Sequence, residues 1–355
     1  MGFLGSRPVT TAFFMLSACG LWYVLDGFAY RMLFTALPSL FGLQVLLSDI
    51  LEALLVSKVG YRTKWFALLI APGTILHELA HLFAALATGC TVTKAALFSP
   101  NPRTGVLGYV AYTQPKDKYI VLREFIVGFA PFFGCGILLL VSNTLLSGGL
   151  ASFVDGEPIA DFGGLLDFVL GVWSSVISFL SSADYGRTAV LALIYLQACF
   201  AVGAAPSPAD LKGAFSSLYR HIISALFFIA ILAFIVLASD NRLGLGGIEA
   251  TLALWIGSAL KFTVVVLASS TGLTALLIPA AYMGSKVSEI PGIAKTIPVT
   301  SSLLLGYYLW KEGYGAKIAL ALAALVFVAT LLTFTPGRAQ LEKKPLKKKP
   351  SSAGG

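Results

Sequence analysis

The chain is 355 residues long, 57% apolar and only 12% charged, with a mean hydropathy of +0.85. Soluble domains carry roughly a quarter charged residues, so most of this chain's surface has to face lipid. Net charge is +8, and six basic residues against Glu342 in the tail from Arg338 onward supply most of it, which leaves the body no basic stripe and argues against a nucleic-acid partner.

In chain order, apolar stretches suited to spanning helices fall at about 8–30, 34–57, 65–88, 120–147 and 162–181. Further stretches follow at about 186–205, 217–239, 247–283, 296–311 and 315–335. The first is too long for a signal-peptide core and reads as a span. The stretch 247–283 exceeds one simple crossing, so a kink or a break into two helices is expected around Ser269-Ser270-Thr271-Gly272. The stretch 296–311 is short and suits a re-entrant segment. The expected fold class is an all-α polytopic membrane protein with about eight to ten transmembrane helices. Its divisions are N-terminal helices over 1–60, a core over 61–240, C-terminal helices over 241–337, and a basic disordered tail over 338–355.

One connection between spans is long enough to fold by itself, Gly89 to Lys118. Strand-forming segments Thr91–Phe98 and Val106–Thr113, with Val92, Val106, Tyr109, Val110 and Tyr112, flank the turn Ser99-Pro-Asn-Pro-Arg-Thr-Gly105. They predict a small β-hairpin inside the β-rich loop 90–118. The four cysteines, Cys19, Cys90, Cys135 and Cys199, lack any paired or metal-type spacing, and the three in apolar runs read as small core residues. The Lys-rich tail places the C-terminus on the cytoplasmic side of the cell membrane. Around the third span, Lys58, Arg62 and Lys64 oppose Lys94, Arg103, Lys116, Lys118 and Arg123, and leave that helix's orientation open.

The third span carries the motif H-E-x-x-H, as His77-Glu78-Leu-Ala-His81. Positions i and i+4 share one helix face, so two imidazoles can reach one metal. Glu78 beside them is placed to take a proton from an attacking water and return it to a leaving amine. With three histidines and eight glutamates in the chain, chance gives this pattern with a likelihood on the order of one in a thousand. His77 lies about 12 residues, roughly 18 Å at helical rise, into an apolar span, where ionisable groups are functional candidates by default. A helix–helix hydrogen-bond cluster without metal is the plain alternative.

Catalytic zinc takes three protein ligands and an open position. The residues leave the third ligand open among Asp210, His221, Glu124, Asp161, Asp167 and Asp184. Asp210 follows an apolar span broken by Pro206 and Pro208, and irregular backbone at membrane depth is tolerated where it is buried or lines a wet cavity.

His77-Glu78-Leu-Ala-His81, the strand-like loop, Gly128-Phe-Ala-Pro131-Phe-Phe-Gly134 and Pro206-Ser-Pro-Ala-Asp210 follow one another in that order. This order, over about residues 65–215, resembles the site-2 protease family of intramembrane zinc metalloproteases. The resemblance implies zinc on His77, His81 and Asp210, with Glu78 as general base, and transmembrane segments of other membrane proteins as substrates. It implies a multi-pass protein embedded in the lipid bilayer. Two departures stand out. Gly134 occupies a position where the family usually has Asn, with Asn143 the nearest Asn downstream, and Asp210 is not followed directly by Gly. The oxyanion-stabilising and substrate-binding residues and the oligomeric state are left open.

Two other readings are carried. Prenyl-protein or heat-shock type membrane zinc proteases use a downstream Glu in E-x-x-x-[DN]; Glu249 is followed four residues on by Ala253 and Glu289 by Ile293, so neither fits. A non-catalytic protease relative or a transporter-like membrane protein would not depend on Glu78.

Overall fold

The computed structural model describes residues 7–54, 64–101, 107–147, 149–183, 187–205, 208–239, 247–290, 294, 296–313 and 316–334. The basic tail, Lys58, Arg62, Asp184, Pro206 and the hairpin tip from Pro102 to Val106 lie outside them. Helices dominate: α1 Arg7–Val24, α2 Arg31–Leu54, α3 Lys64–Ala87, α4 Ile120–Ser147, α5 Phe162–Ser182 and α6 Thr188–Gly203. They continue with α7 Pro208–Arg220, α8 Ile222–Ser239, α9 Gly247–Glu289, α10 Ile297–Lys311 and α11 Ala316–Phe334. The only sheet among the described residues is β1 Thr91–Ala96 paired antiparallel with β2 Tyr109–Thr113.

Among the described residues, five helices are long and apolar enough to cross a membrane: within α2, α3, α4, α5 and α9. The outer faces agree with that solvent. Ile223 is 81% exposed and Trp255 73%, side chains that a water-soluble surface rarely displays in such numbers. The shorter α1, α6, α8, α10 and α11 are apolar as well.

Chain contacts divide the protein into two compact units, residues 1–279 and 280–355. In the first, α1 and α2 form a hairpin closed by Arg31. Its guanidinium lies 3.8 Å from the Trp22 ring centroid and donates to the Trp22 carbonyl and to Asp26. Helix α9 threads the core of this unit, where Val264, Val265, Val266, Leu267 and Ala268 are fully buried. Gly136 of α4 faces it so closely that a Cβ would stand 2.5 Å from Val266 Cγ1. In the second unit α10 packs on α11.

Two expectations are corrected here. The stretch 247–283 does not divide into two helices at Ser269–Gly272 but lies within the single helix α9, where Thr271 Oγ1 donates back to the carbonyls of Leu267 and Ala268. The stretch 217–239 is not one span. The polar α7 ends at Arg220, and the apolar α8 begins at Ile222.

Helix α3 ends in a Schellman-type cap. Gly89 adopts φ +76°, and the Cys90 N–H donates to the Ala85 carbonyl at 2.8 Å. That turn sends the chain directly into β1. The strands are shorter than the expected Thr91–Phe98 and Val106–Thr113. A bulge between Val92 and Lys94 leaves Thr93 without a partner residue in the ladder, and its hydroxyl donates to the Ala111 carbonyl.

Both legs of the hairpin are tied to the first turn of α4. Arg123 donates to the carbonyls of Thr88 and Pro115 and forms a two-pronged pair with Asp117 at 2.6 and 2.8 Å. Glu124 accepts from the Tyr112 hydroxyl at 3.2 Å and from the Gln114 amide at 2.6 Å. Burial, with the neighbouring Glu124 carboxylate, pushes the Tyr112 phenol well above its ordinary range. Arg123 in turn holds the Asp117 carboxyl below the usual carboxylate range.

Candidate metal centre

Four helices and one loop build the site. Helix α3 supplies His77, Glu78 and His81, with the two imidazoles one turn apart on the same face. Glycines let its neighbours approach. A Cβ on Gly73 would stand 2.2 Å from the Cys199 carbonyl oxygen, and one on Gly203 would stand 2.8 Å from that of Gly73. The backbones of α3 and α6 are therefore in direct contact. The Gly203 carbonyl consequently reaches His77 Nδ1 at 2.8 Å.

Helix α4 closes the opposite side. Gly134 faces Ala80, and Gly128 faces the Asp210 carbonyl, where a Cβ would stand 3.3 Å away. The Val127 carbonyl reaches His81 Nδ1 at 2.7 Å. Helix α7 then delivers Asp210 in its first turn.

The structure brings His77, His81 and Asp210 together. Their ligand atoms all lie within 4.8 Å of one another. Asp210 Oδ1 is 3.2 Å from His81 Nε2, and Asp210 Oδ2 is 3.5 Å from His77 Nε2. The two Nε2 atoms are 3.2 Å apart.

The hydrogen bonds assign the tautomers. A carbonyl oxygen only accepts, so each Nδ1 carries a proton, and in the neutral ring the Nε2 turned inward is the unprotonated nitrogen. Two lone pairs and a carboxylate, all acceptors, then converge on one point. Such an arrangement calls for a cation or protons between them. Ligands about 2.0–2.2 Å from a tetrahedral zinc stand about 3.3–3.5 Å apart, close to the separations observed here. The donor set therefore fits Zn²⁺ with a fourth position open. The carbonyl partners on Nδ1 are the usual means of fixing a ligating imidazole's orientation.

Glu78 is buried beside this cluster. The loop residue Gly108, just before β2, lies directly on it. A Cβ there would stand 2.7 Å from Glu78 Cγ and under 3 Å from the carbonyl oxygens of Leu97 and Ala96.

The other ligand candidates fall elsewhere. Glu124 serves the hairpin. Asp161 caps α5, accepting from the Gly164 N–H at 2.7 Å. Asp167 lies exposed on α5, and His221 sits at the α7–α8 junction outside the cluster. Asn143 accepts from the Leu150 N–H at the end of α4. Lys261 of α9 pairs with Asp155 of the α4–α5 connection.

Sequence reasoning missed the parts made of backbone. The carbonyls of Val127 and Gly203 carry no side-chain signature. Gly108 and Glu124 had one available signal each: a glycine, and an acid, close to a segment already singled out. No family model matches the chain, and neither the curated proteins nor the solved structures contain a match to it.

Proposed function

We propose that the chain is a membrane-embedded zinc metalloendopeptidase of the site-2 protease type, cleaving transmembrane segments of other membrane proteins. The observation that carries this reading is the convergence of His77 Nε2, His81 Nε2 and the Asp210 carboxylate beside a buried glutamate.

His77, His81 and Asp210 would hold the metal. What zinc supplies is Lewis acidity toward a water and toward the scissile carbonyl. Glu78 takes the proton of the attacking water and passes it to the leaving amine. The Val127 and Gly203 carbonyls keep the imidazoles in the ligating tautomer. A helical peptide bond is shielded by its own hydrogen bonds, so the substrate segment has to be held unwound. The free edge of the β1–β2 hairpin, whose loop rests on Glu78, suits that task by strand addition. The long apolar helices support a site of action within a lipid bilayer, and the Lys-rich tail favours a cytoplasmic C-terminus.

The test uses purified protein in lipid nanodiscs with a panel of single-span reporter proteins. The parent cleaves within the span of at least one reporter. Glu78→Ala slows that cleavage by at least about a hundredfold while its zinc content stays at the parent level. Equal cleavage by the two proteins, or none by the parent across the panel, would leave the non-catalytic reading in its place.

A further inference from the structure

A second polar cluster lies in the first unit, away from the metal ligands, where α2, α6 and α9 cross. Gln44 of α2 donates from Nε2 to Ser270 Oγ of α9 at 2.7 Å and to the Ala201 carbonyl of α6 at 3.4 Å. Ser270 Oγ donates to the same carbonyl at 2.7 Å. These bonds fix which faces meet. Ser48, Gln197 and Thr274 lie one turn away along the same three faces, and Ser269 is next to Ser270.

On or next to these faces, Gln44 Oε1, Ser48 Oγ, Gln197 Nε2, Ser269 Oγ and Thr274 Oγ1 are buried without a hydrogen-bond partner in the protein. Gln44 and Gln197 are only 1% and 2% exposed, and Thr274 not at all. Folded proteins leave few buried polar atoms unpaired, and most such atoms turn out to hold water. The hydroxyls also had a local alternative, which Thr271 takes by bonding back to Leu267 and Ala268. Ser269 and Thr274 do not take it.

The chemistry of the unpaired atoms selects the guest. Gln197 Nε2 only donates, which opposes a cation. Gln44 Oε1 only accepts, which opposes an anion. The three hydroxyls do either. Water, donor and acceptor at once, meets all of them.

We infer that the α2–α6–α9 crossing is a hydrated site, holding ordered water on Gln44, Gln197, Ser269 and Thr274 inside an otherwise apolar helix core. This gives α2 and α9, which supply none of the metal ligands, a part in wetting the interior. The site lies two residues along α6 from Gly203, whose carbonyl holds His77. Its hydration does not depend on the hydrolase reading, though a hydrolase would draw on it.

The experiment compares thermal unfolding midpoints of the full-length protein and its variants in lipid nanodiscs. Thr274→Val keeps the side-chain shape and removes the hydroxyl. If water is bound there, its loss lowers the midpoint by about 2–4 °C, and Ser269→Ala acts in the same direction. In a dry crossing, removing an unpaired hydroxyl raises the midpoint or leaves it unchanged, and either result overturns the inference. Should Thr274→Val fail to fold, Ser269→Ala carries the same comparison. A parent midpoint that rises with NaCl but not with choline chloride would place a cation in the site and overturn it equally.

Discussion

His77 and His81 each spend one ring nitrogen on a backbone carbonyl, and that turns the other nitrogen toward the carboxylate of Asp210. The geometry rests on small residues as much as on the ligands. Gly73→Ala would drive a methyl into the Cys199 carbonyl, 2.2 Å from the new carbon, and the backbone on both sides has little room to yield. Pushing α3 away from α6 stretches the His77–Gly203 bond. The expected outcome is zinc affinity lowered by about 10–100-fold with every ligand intact, measured by competition with a chelating dye. Gly108→Ala acts on the other partner. Its methyl would meet Glu78 Cγ at 2.7 Å and displace a carboxylate that has to reach one water. Turnover should fall by up to about a hundredfold, with zinc content unchanged, which separates this effect from that of Gly73→Ala.

At the scale of elements, the hairpin is held as a unit by two adjacent side chains of α4. The Asp117 carboxyl, stabilised as the anion by Arg123, has a pKa below the usual value. A lowered carboxyl gives its full contribution above the unfolded-state pKa and loses it as pH falls through the folded-state value. A spin label at the exposed Thr93 should therefore report constant hairpin order from about pH 8 to about pH 5, loosening only below about pH 4. Asp117→Asn should loosen it at every pH. If the hairpin edge holds substrate, proline or charged substitutions along 106–112 should lower cleavage while bound zinc stays at the parent level. The hairpin's existence was legible in Val92, Tyr109, Val110 and Tyr112, because β-branched and aromatic residues there outnumber helix formers. Its register was not. The bulge at Thr93 depends on which residues oppose Ala111, and nothing local to either strand states that.

At the scale of the molecule, legibility followed how far each feature depends on long-range contact. The apolar helices and the His77-Glu78-Leu-Ala-His81 face could be read locally, since helical periodicity carries both. Asp210 stood among several acids until tertiary packing selected it, and the continuity of α9 through Ser269–Gly272 depends on neighbours that bury those hydroxyls. The break at His221 was visible only as a change from polar α7 to apolar α8. All three proposed ligands, His77, His81 and Asp210, belong to the unit that ends at Pro279. A chain shortened to residues 1–279 should thus bind zinc with the parent's stoichiometry, checked by elemental analysis after size-exclusion chromatography.

The central claim is that three side chains, remote in sequence, close on one zinc ion. Elemental analysis of the purified full-length protein tests it most directly, beside His81→Ala, Asp210→Ala and, as a control, Glu249→Ala. The account predicts about one zinc per chain in the parent and in Glu249→Ala, and a loss of most of it in the other two. A parent without stoichiometric metal, or an Asp210→Ala variant that keeps its full zinc, would contradict it.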